Sequence, residues 1–446
     1  MNWPATLFAG RRYAVVGLGR NGLPAARALA AMGADIAVWD DGEPARAAAA
    51  LPLCDPALGY AGFDAVVLSP GIPHTFPAPH PAAVAARAAG VPILSDAELL
   101  FQAVRAAGSR ARFVGITGTN GKSTTTALLH HILATAGRES AAGGNLGTAA
   151  IALPLLGDGG VYSLEMSSYM LERLTTLQFD AAALLNLSPD HLDRHGDMAG
   201  YIAAKRHIFD RCGHAVLGID DEDSAMVAQG MPCTTISGLK PADIWYDHGT
   251  LRDDAPLLPM ADAPALPGPH NAQNAAAAFA LGLGLGLTRD EIAHGIRTYP
   301  GLPHRQQRVA TSDSIAWIND SKATNADAAA RALACYDRIV WIAGGMAKEG
   351  GIESLRPLFP RVAHALLIGR DAPVLARTLA DSGVPHSIPG TLDAAVAAAR
   401  PLVRSLRAAT VLLSPACASW DQFTGFDARG DRFCELAQAG PARRSA

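Results

Sequence analysis

Apolar and polar positions along the chain fall into a recurring unit: a short apolar run, a glycine-rich turn, then an Ala-rich stretch with helical character. Tyr13 to Val16 is such a run; it enters the turn Gly17-Leu18-Gly19-Arg20-Asn21-Gly22, and Leu23 to Ala31 follows as a helix. Runs at Asp35–Asp40 and Asp64–Leu68 come at spacings that fit an alternating parallel sheet. The unit then restarts. Arg112 to Ile116 predicts a strand, a second glycine-rich turn follows, and about Lys122 to Ala136 reads as a helix. Further strands are predicted at Val161–Leu164 and Ala181–Leu187, while the Pro- and Asp-rich stretch Pro241 to Leu266 reads as an antiparallel edge or a connector. The longest apolar run, Ala275 to Leu287, is shorter than the roughly 18 residues of a membrane span and predicts a buried helix. Turn residues crowd Tyr299 to Arg305, ahead of strands at Ile315–Ile318, Ile339–Ala343, Ala365–Ile368 and Thr410–Leu413. The pattern predicts an α/β chain divided at 1–107, 108–302 and 303–446, with a frayed tail from Gln438.

Composition narrows the class. A chain of 446 residues with 49% hydrophobic and 17% charged positions belongs to a globular protein, not a disordered one. Lys and Arg number 37 against 41 Asp and Glu, a net charge of −4 with no block of one sign, so no nucleic-acid or membrane partner is expected. An anionic ligand must then be held by local chemistry. Six cysteines without a C-x-x-C pair give neither a zinc knuckle nor a disulfide framework. The start, Met1-Asn2-Trp3-Pro4, lacks a secretory pattern, and a cytoplasmic location is expected.

Two turns carry chemistry. Gly17 to Gly22 lies between strand and helix, with Asp40 ending the next strand, the context of a dinucleotide fingerprint. On the residues alone it reads as an NAD site or as a tight βα turn without a ligand. Gly118-Thr119-Asn120-Gly121-Lys122-Ser123-Thr124 also joins strand to helix and is similar to a Walker A loop, although position 116, where that loop has its first glycine, is Ile. Its N–H groups suit a triphosphate, Lys122 its β/γ-phosphates and Ser123 a Mg²⁺ ion. Glu165, ending a strand, is placed either as a Mg²⁺ carboxylate or as a cap. Asn186 to His195 gathers ionisable groups directly after an apolar strand, as a site or as a capped polar loop. Lys205 reads as an ordinary helix lysine.

These segments, with Gly143-Gly-Asn145-Leu-Gly147, Glu165-Met-Ser-Ser168, Asp190-His191, His270-Asn271-Ala-Gln-Asn274, Pro303-His304-Arg305, Asn319-Asp320-Ser-Lys322-Ala-Thr324-Asn325 and Ser414 to Phe423, occur in the order seen in the Mur ligases. The resemblance covers nearly the whole chain. It implies a Rossmann-like N-terminal domain for a UDP-sugar in place of NAD, a central P-loop ATPase domain with a parallel sheet, and a Rossmann-like C-terminal domain that closes over the site. It further implies an ATP-dependent amide ligase of peptidoglycan precursor synthesis, a monomer acting on UDP-N-acetylmuramoyl-L-alanine and D-glutamate through an acyl phosphate.

The resemblance also assigns roles. Gly118 to Thr124 would hold ATP, with Asn271, Arg305 and Asp320 on its adenine nucleotide. Two Mg²⁺ ions would lie at Ser123 and Glu165 and at His191 with Lys205, the latter carried as a carbamate; Lys122, Glu165, His191 and Lys205 would be catalytic. Gly19, Arg20, Asn21, Asp40, Gly71, Asn145 and Ser167 would meet the UDP-muramoyl part. Lys322, Thr324, Lys348, Ser419 and Phe426 would surround glutamate. Two positions depart from the family pattern: Met170 stands where Gln is frequent, and Asp41-Gly42 lacks a cation used by some relatives near the uridine. The amine base is left open among His191, Asp320 and water. Rival readings are another ligase of the superfamily such as a folylpolyglutamate synthase, an NAD-dependent dehydrogenase, and a non-catalytic P-loop switch.

Overall fold

The computed structural model describes residues 2–145, 147–312 and 315–439; Met1, Leu146 of the Gly143–Gly147 motif and the expected tail beyond 439 lie outside them. The chain divides into two compact units, one running through Pro264 and including Pro269–Tyr299, the other made of Ala265–Gly268 and the chain from Pro300 on. The first unit holds two sheets and the second holds one.

The first sheet contains β1 (Arg12–Val16), β2 (Asp35–Trp39), β3 (Ala65–Leu68) and β4 (Ile93–Leu94), all parallel, in the order β2-β1-β3-β4. The order reverses between β1 and β3, which opens a crevice beyond their carboxyl ends. The Gly17 turn leaves β1 at that crevice.

The second sheet contains β5 (Arg112–Thr117), β6 (Ser140–Gly144), β7 (Val161–Glu165), β8 (Phe179–Leu184), β9 (Cys212–Gly218), β10 (Thr234–Ser237), β11 (Ile244–Asp247), β12 (Thr250–Arg252) and β13 (Pro256–Pro259). Its order is β13-β12-β11-β10-β9-β8-β5-β7-β6, parallel from β6 to β11 and antiparallel at β12 and β13. The Pro- and Asp-rich stretch is thus an antiparallel edge. Strand β6, Ser-Ala-Ala-Gly-Gly, has no β-branched residue and leaves no mark on the pattern. It pairs because small residues fit: a Cβ on Gly144 would stand 2.5 Å from the Glu165 carbonyl oxygen. Helix Pro269–Gly284, buried from Asn271 to Gly282, packs on β9 to β11 and on helix Lys122–Thr135, as an all-round apolar helix must.

The second unit is built on β14 (Gln307–Ser312), β15 (Ile315–Asn319), β16 (Ile339–Gly344), β17 (Val362–Ile368), β18 (His386–Gly390) and β19 (Thr410–Leu413). The order is β14-β15-β19-β16-β17-β18, with β14 antiparallel and the rest parallel. Trp317 and Trp341 anchor apolar clusters on its two faces.

Candidate active site

In the central sheet the order reverses between β5 and β8, and the P-loop leaves β5 there. Gly118 (φ +143°) and Gly121 (φ +86°) make the turn, and neither position tolerates a side chain, since a Cβ on Gly121 would lie 2.2 Å from Asn274 Oδ1. Ile116 belongs to β5, so Gly118 supplies the freedom that the first Walker glycine supplies elsewhere.

The loop is braced from the segment after β8. Thr119 N–H donates to the Asn186 carbonyl (2.9 Å), Asn120 N–H to Asn186 Oδ1 (2.9 Å), and Asn186 Nδ2 returns a bond to the Asn120 carbonyl (3.1 Å). Lys122 Nζ folds back on the carbonyls of Gly118 and Thr119, both at 2.8 Å. The ammonium is held over the loop that precedes it.

Around the loop stand the other ionisable groups expected there. Glu165 ends β7 with 3% exposure; its Oε1 accepts from Asn145 Nδ2 at 2.7 Å, and its Oε2 is buried with no hydrogen-bond partner among the described residues. Lys205 is 2% exposed, with Nζ 2.9 Å from the Gly118 carbonyl oxygen and 4.6 Å from the centre of the Tyr201 ring. Burial, reinforced by the charge of Lys122, holds its amine well below the usual lysine value, against the opposing pull of Asp190 and Glu165. His191, half exposed, takes a left-handed backbone (φ +54°) at the start of helix Leu192–His195. Its imidazole is moved below its ordinary value by burial, opposed by Asp190 and aided by Lys122 and Lys205. Lys122, Glu165, His191 and Lys205 therefore share one electrostatic neighbourhood with Asp190.

Of the residues expected at the UDP-sugar, Gly19, Arg20, Asn21, Asp40 and Gly71 lie after strands of the first sheet, and Asn145 and Ser167 after β6 and β7 of the second. Asp40 accepts from the N–H groups of Leu18 (2.7 Å) and Gly42 (2.8 Å), fixing the Gly17 turn. Gly19 and Arg20 are exposed beyond it, and Asn21 Nδ2 reaches the Gly144 carbonyl (3.3 Å), next to Asn145. A chain of contacts thus runs from the first glycine turn to Glu165. Ser167 caps helix Ser168–Leu171, accepting from Met170 N–H at 3.3 Å, while the Met170 side chain is buried in the core. No cation follows Asp41 directly, but Arg46 one turn on donates to the carbonyls of Asp40 (2.5 Å) and Asp41 (3.0 Å) and stacks on Trp39.

In the second unit the candidates cluster beyond the carboxyl ends of β15, β16 and β19. Asp320 is buried, accepts from Ser414 Oγ (2.7 Å) and Gln306 N–H (3.1 Å), and is pushed up to about 7 by burial, partly offset by those bonds and by Arg305. Lys322 Nζ lies 3.8 Å from the centre of the Phe426 ring. Lys348 is exposed after the Gly344-Gly345 turn, whose glycines have φ of +121° and +129°, and Ser419 is buried after β19.

The pattern missed the residues that hold these loops. Arg429, 1% exposed, donates to Ser321 Oγ (2.9 Å), the Ser321 carbonyl (2.9 Å) and the Cys417 carbonyl (3.1 Å), tying the segments after β15 and β19. Arg173 acts similarly in the first unit.

Among the described residues no three His, Cys, Asp or Glu side chains gather as a metal cage. The donors present fit Mg²⁺ all the same: it keeps waters and phosphate oxygens in its shell and needs only one or two protein oxygens. The unpaired, buried Glu165 Oε2 beside a P-loop is such an oxygen.

A loop similar to a Walker A turn, a buried carboxylate oxygen without a hydrogen-bond partner among the described residues and a buried lysine held below its usual value are the parts expected of an ATP-dependent enzyme. The family model described as Mur ligase middle domain matches residues 116–282. The chain is 52% identical to UDP-N-acetylmuramoylalanine–D-glutamate ligase of Paramagnetospirillum magneticum, over 97% of each chain. It is 48% identical to the Rhodospirillum rubrum enzyme of the same name, over 97% of this chain and 95% of that one. Among solved structures, UDP-N-acetylmuramate-alanine ligase MurC of Thermotoga maritima superposes with a TM-score of 0.60 at 19% identity, over 96% of this chain and 99% of that one. The chain belongs to the Mur ligase family. It is an ATP-dependent amide ligase of peptidoglycan precursor synthesis.

Proposed function

We propose that this ligase joins D-glutamate to the alanyl carboxylate of UDP-N-acetylmuramoyl-L-alanine. The observation that carries the reading is the braced P-loop with Lys122 and the unpaired Glu165 oxygen around it, on a chain half identical to relatives of that name. An amide does not form from a free carboxylate in water without activation. The alanyl carboxylate attacks the γ-phosphorus; its O–P bond forms as the bond to the β–γ bridging oxygen breaks, giving an acyl phosphate and ADP. That nucleophile is already anionic and needs no base. It needs its repulsion from the triphosphate cancelled, which Lys122 and the loop N–H groups do. Mg²⁺, when bound, neutralises phosphate charge in the same way. The glutamate ammonium gives up a proton to His191, Asp320 or water, its amine attacks the acyl carbon, and as the C–N bond forms and the nitrogen loses a further proton to the same acceptors or to the departing phosphate, the acyl C–O bond breaks and phosphate leaves.

In this reading Ser123 and Glu165 would hold one Mg²⁺, and His191 with a carbamate on Lys205 would hold the second. Carbamate formation needs an unprotonated amine, the form that burial of Lys205 favours. Residues 1–107 take the UDP-sugar, 108–302 ATP, and 303–446 glutamate, with Lys322, Thr324, Lys348, Ser419 and Phe426 around it; Asn271, Arg305 and Asp320 serve the adenine nucleotide. The enzyme works as a cytoplasmic monomer.

Phosphate release is measured with ATP, Mg²⁺ and UDP-N-acetylmuramoyl-L-alanine, adding D-glutamate, L-glutamate or nothing. Release that requires D-glutamate, and that Lys122→Ala abolishes, is expected. Release driven by L-glutamate alone overturns the amino acid, and no release overturns the substrate pair.

A further inference from the structure

Arg173 lies eight residues beyond Glu165, in the segment after helix Ser168–Leu171, with 3% exposure. Its guanidinium reaches across the first unit to the loop that follows β3. Nη1 donates to the carbonyls of Leu68 (2.7 Å) and Ser69 (3.3 Å), and Nη2 to those of Pro70 (3.3 Å) and Ile72 (2.8 Å). Among the described residues no carboxylate bonds to it; four backbone oxygens at the end of β3 and in the loop after it do. Burial, together with the neighbouring Arg194, lowers this guanidinium to about 10, against the pull of Glu172 and Asp96. A buried cation is costly unless it is well hydrogen-bonded, and these four carbonyls offset that cost only while the loop keeps this geometry.

That geometry follows from the peptide plane. In a trans peptide the C=O and the next residue's N–H point in opposite directions. The carbonyls of Ser69 and Ile72 precede Pro70 and Pro73, which have no N–H, and the N–H paired with the Leu68 carbonyl belongs to Ser69 and donates to Val16 O at 2.9 Å. The remaining carbonyl, that of Pro70, faces Arg173 and so turns the Gly71 N–H away from it. Gly71 is exposed, and a Cβ there would meet nothing within 4 Å, so a ligand group has room. The loop is also keyed to the first glycine turn. Ser69 Oγ donates to the Gly17 carbonyl at 2.7 Å, and a Cβ on Gly17 would fall 2.7 Å from Ile72 Cδ1. Displacing the loop therefore displaces the turn that carries Gly19, Arg20 and Asn21.

We propose that Arg173 is a positioning residue for the UDP part of the substrate, gathering the carbonyls of residues 68–72 so that the Gly71 N–H and the Gly17 turn face the diphosphate together. A backbone N–H on a turn is a fitting partner for phosphate oxygen. The planar fork of Arg suits four carbonyls in a way the single ammonium of Lys does not. The inference rests on the reading that this crevice takes the UDP-sugar.

The test is calorimetric titration of UDP and of UDP-N-acetylmuramoyl-L-alanine into the wild type, Arg173→Met and Arg173→Lys, with steady-state kinetics and thermal melting of each. Arg173→Met is expected to weaken UDP binding and raise KM for the UDP-sugar about tenfold, with kcat and KM for ATP within about twofold, and Arg173→Lys to fall between. Should the Met variant fail to fold, the Lys variant decides. A folded variant with unchanged UDP affinity, or with KM for ATP raised equally, overturns the role of Arg173. A wild type that binds neither UDP compound overturns the underlying reading instead.

Discussion

Lys205 and Asp320 are ionisable groups kept from water, and burial moves both toward the neutral form. For Lys205 the neutral amine is the reactive one. Lys205→Ala is expected to lose ligase activity, with short carboxylic acids restoring part of it and bicarbonate none; full activity in the variant would remove the carbamate. For Asp320 the consequence is a dependence on pH. The carboxyl binds its proton more tightly folded than unfolded, so its contribution to stability falls as pH rises from about 4 to about 7. Asp320→Asn removes that slope. Urea unfolding at pH 5 and pH 8 should show the variant gaining on the wild type at the higher pH, and an equal difference at both would refute the assignment. Neither environment is legible in the sequence. Lys205-Arg206 at a helix end looks like any solvated pair, and only the P-loop packed over it makes it otherwise.

At the scale of elements, strand, turn and helix were visible wherever glycine, apolar run and Ala-rich stretch agreed, as at Gly118 to Gly121. Strand β6 was invisible because pairing with β7, not side-chain preference, makes it a strand. Helix Phe426–Gln438 carried a signal that went unread. Its apolar stripe runs Phe426, Gly430, Phe433, Ala437, and Arg429 lies on that stripe instead of opposite it. The side chain is buried because the loops after β15 and β19 present carbonyls that need a donor. Arg429→Met leaves them unpaired and is expected to cost about 3 kcal/mol in denaturant unfolding, with KM for glutamate raised more than KM for ATP. A loss under about 1 kcal/mol would show that the loops hold without it.

Over the whole molecule, the first two sheets behave as one unit because buried polar side chains stitch them. Glu98, on helix Asp96–Ala106, accepts from the N–H groups of Thr175 (3.0 Å), Thr176 (2.9 Å) and Leu177 (3.0 Å) and from the Thr176 hydroxyl. Asp96 accepts from Ala150 N–H (2.7 Å), and Trp3 Nε1 donates to the Leu153 carbonyl (2.8 Å). Burial would raise the Glu98 carboxyl, but the bonds from Thr176, Thr175, Leu177 and Gln102 outweigh it and hold it below its ordinary value. Its stabilisation is present above pH 4.5 or so and is lost as pH falls. Glu98→Gln turns an amide NH₂ toward these donors and is expected to cost about 2 kcal/mol and lower Tm at neutral pH. A variant as stable as the wild type would mean that the apolar core joining the sheets suffices.

By itself the sequence determined the alternation of strands and helices, the two glycine turns, and the ordered motifs that mark a Mur ligase. All of these are local, set by side-chain period and by backbone conformations that only glycine adopts freely. Tertiary structure decided which polar groups are deprived of water and which carbonyls need a donor. Glu165, Lys205, Arg173 and Arg429 acquire their chemistry from segments distant in the chain, and charge and hydrogen bonding gain strength only where packing has excluded solvent.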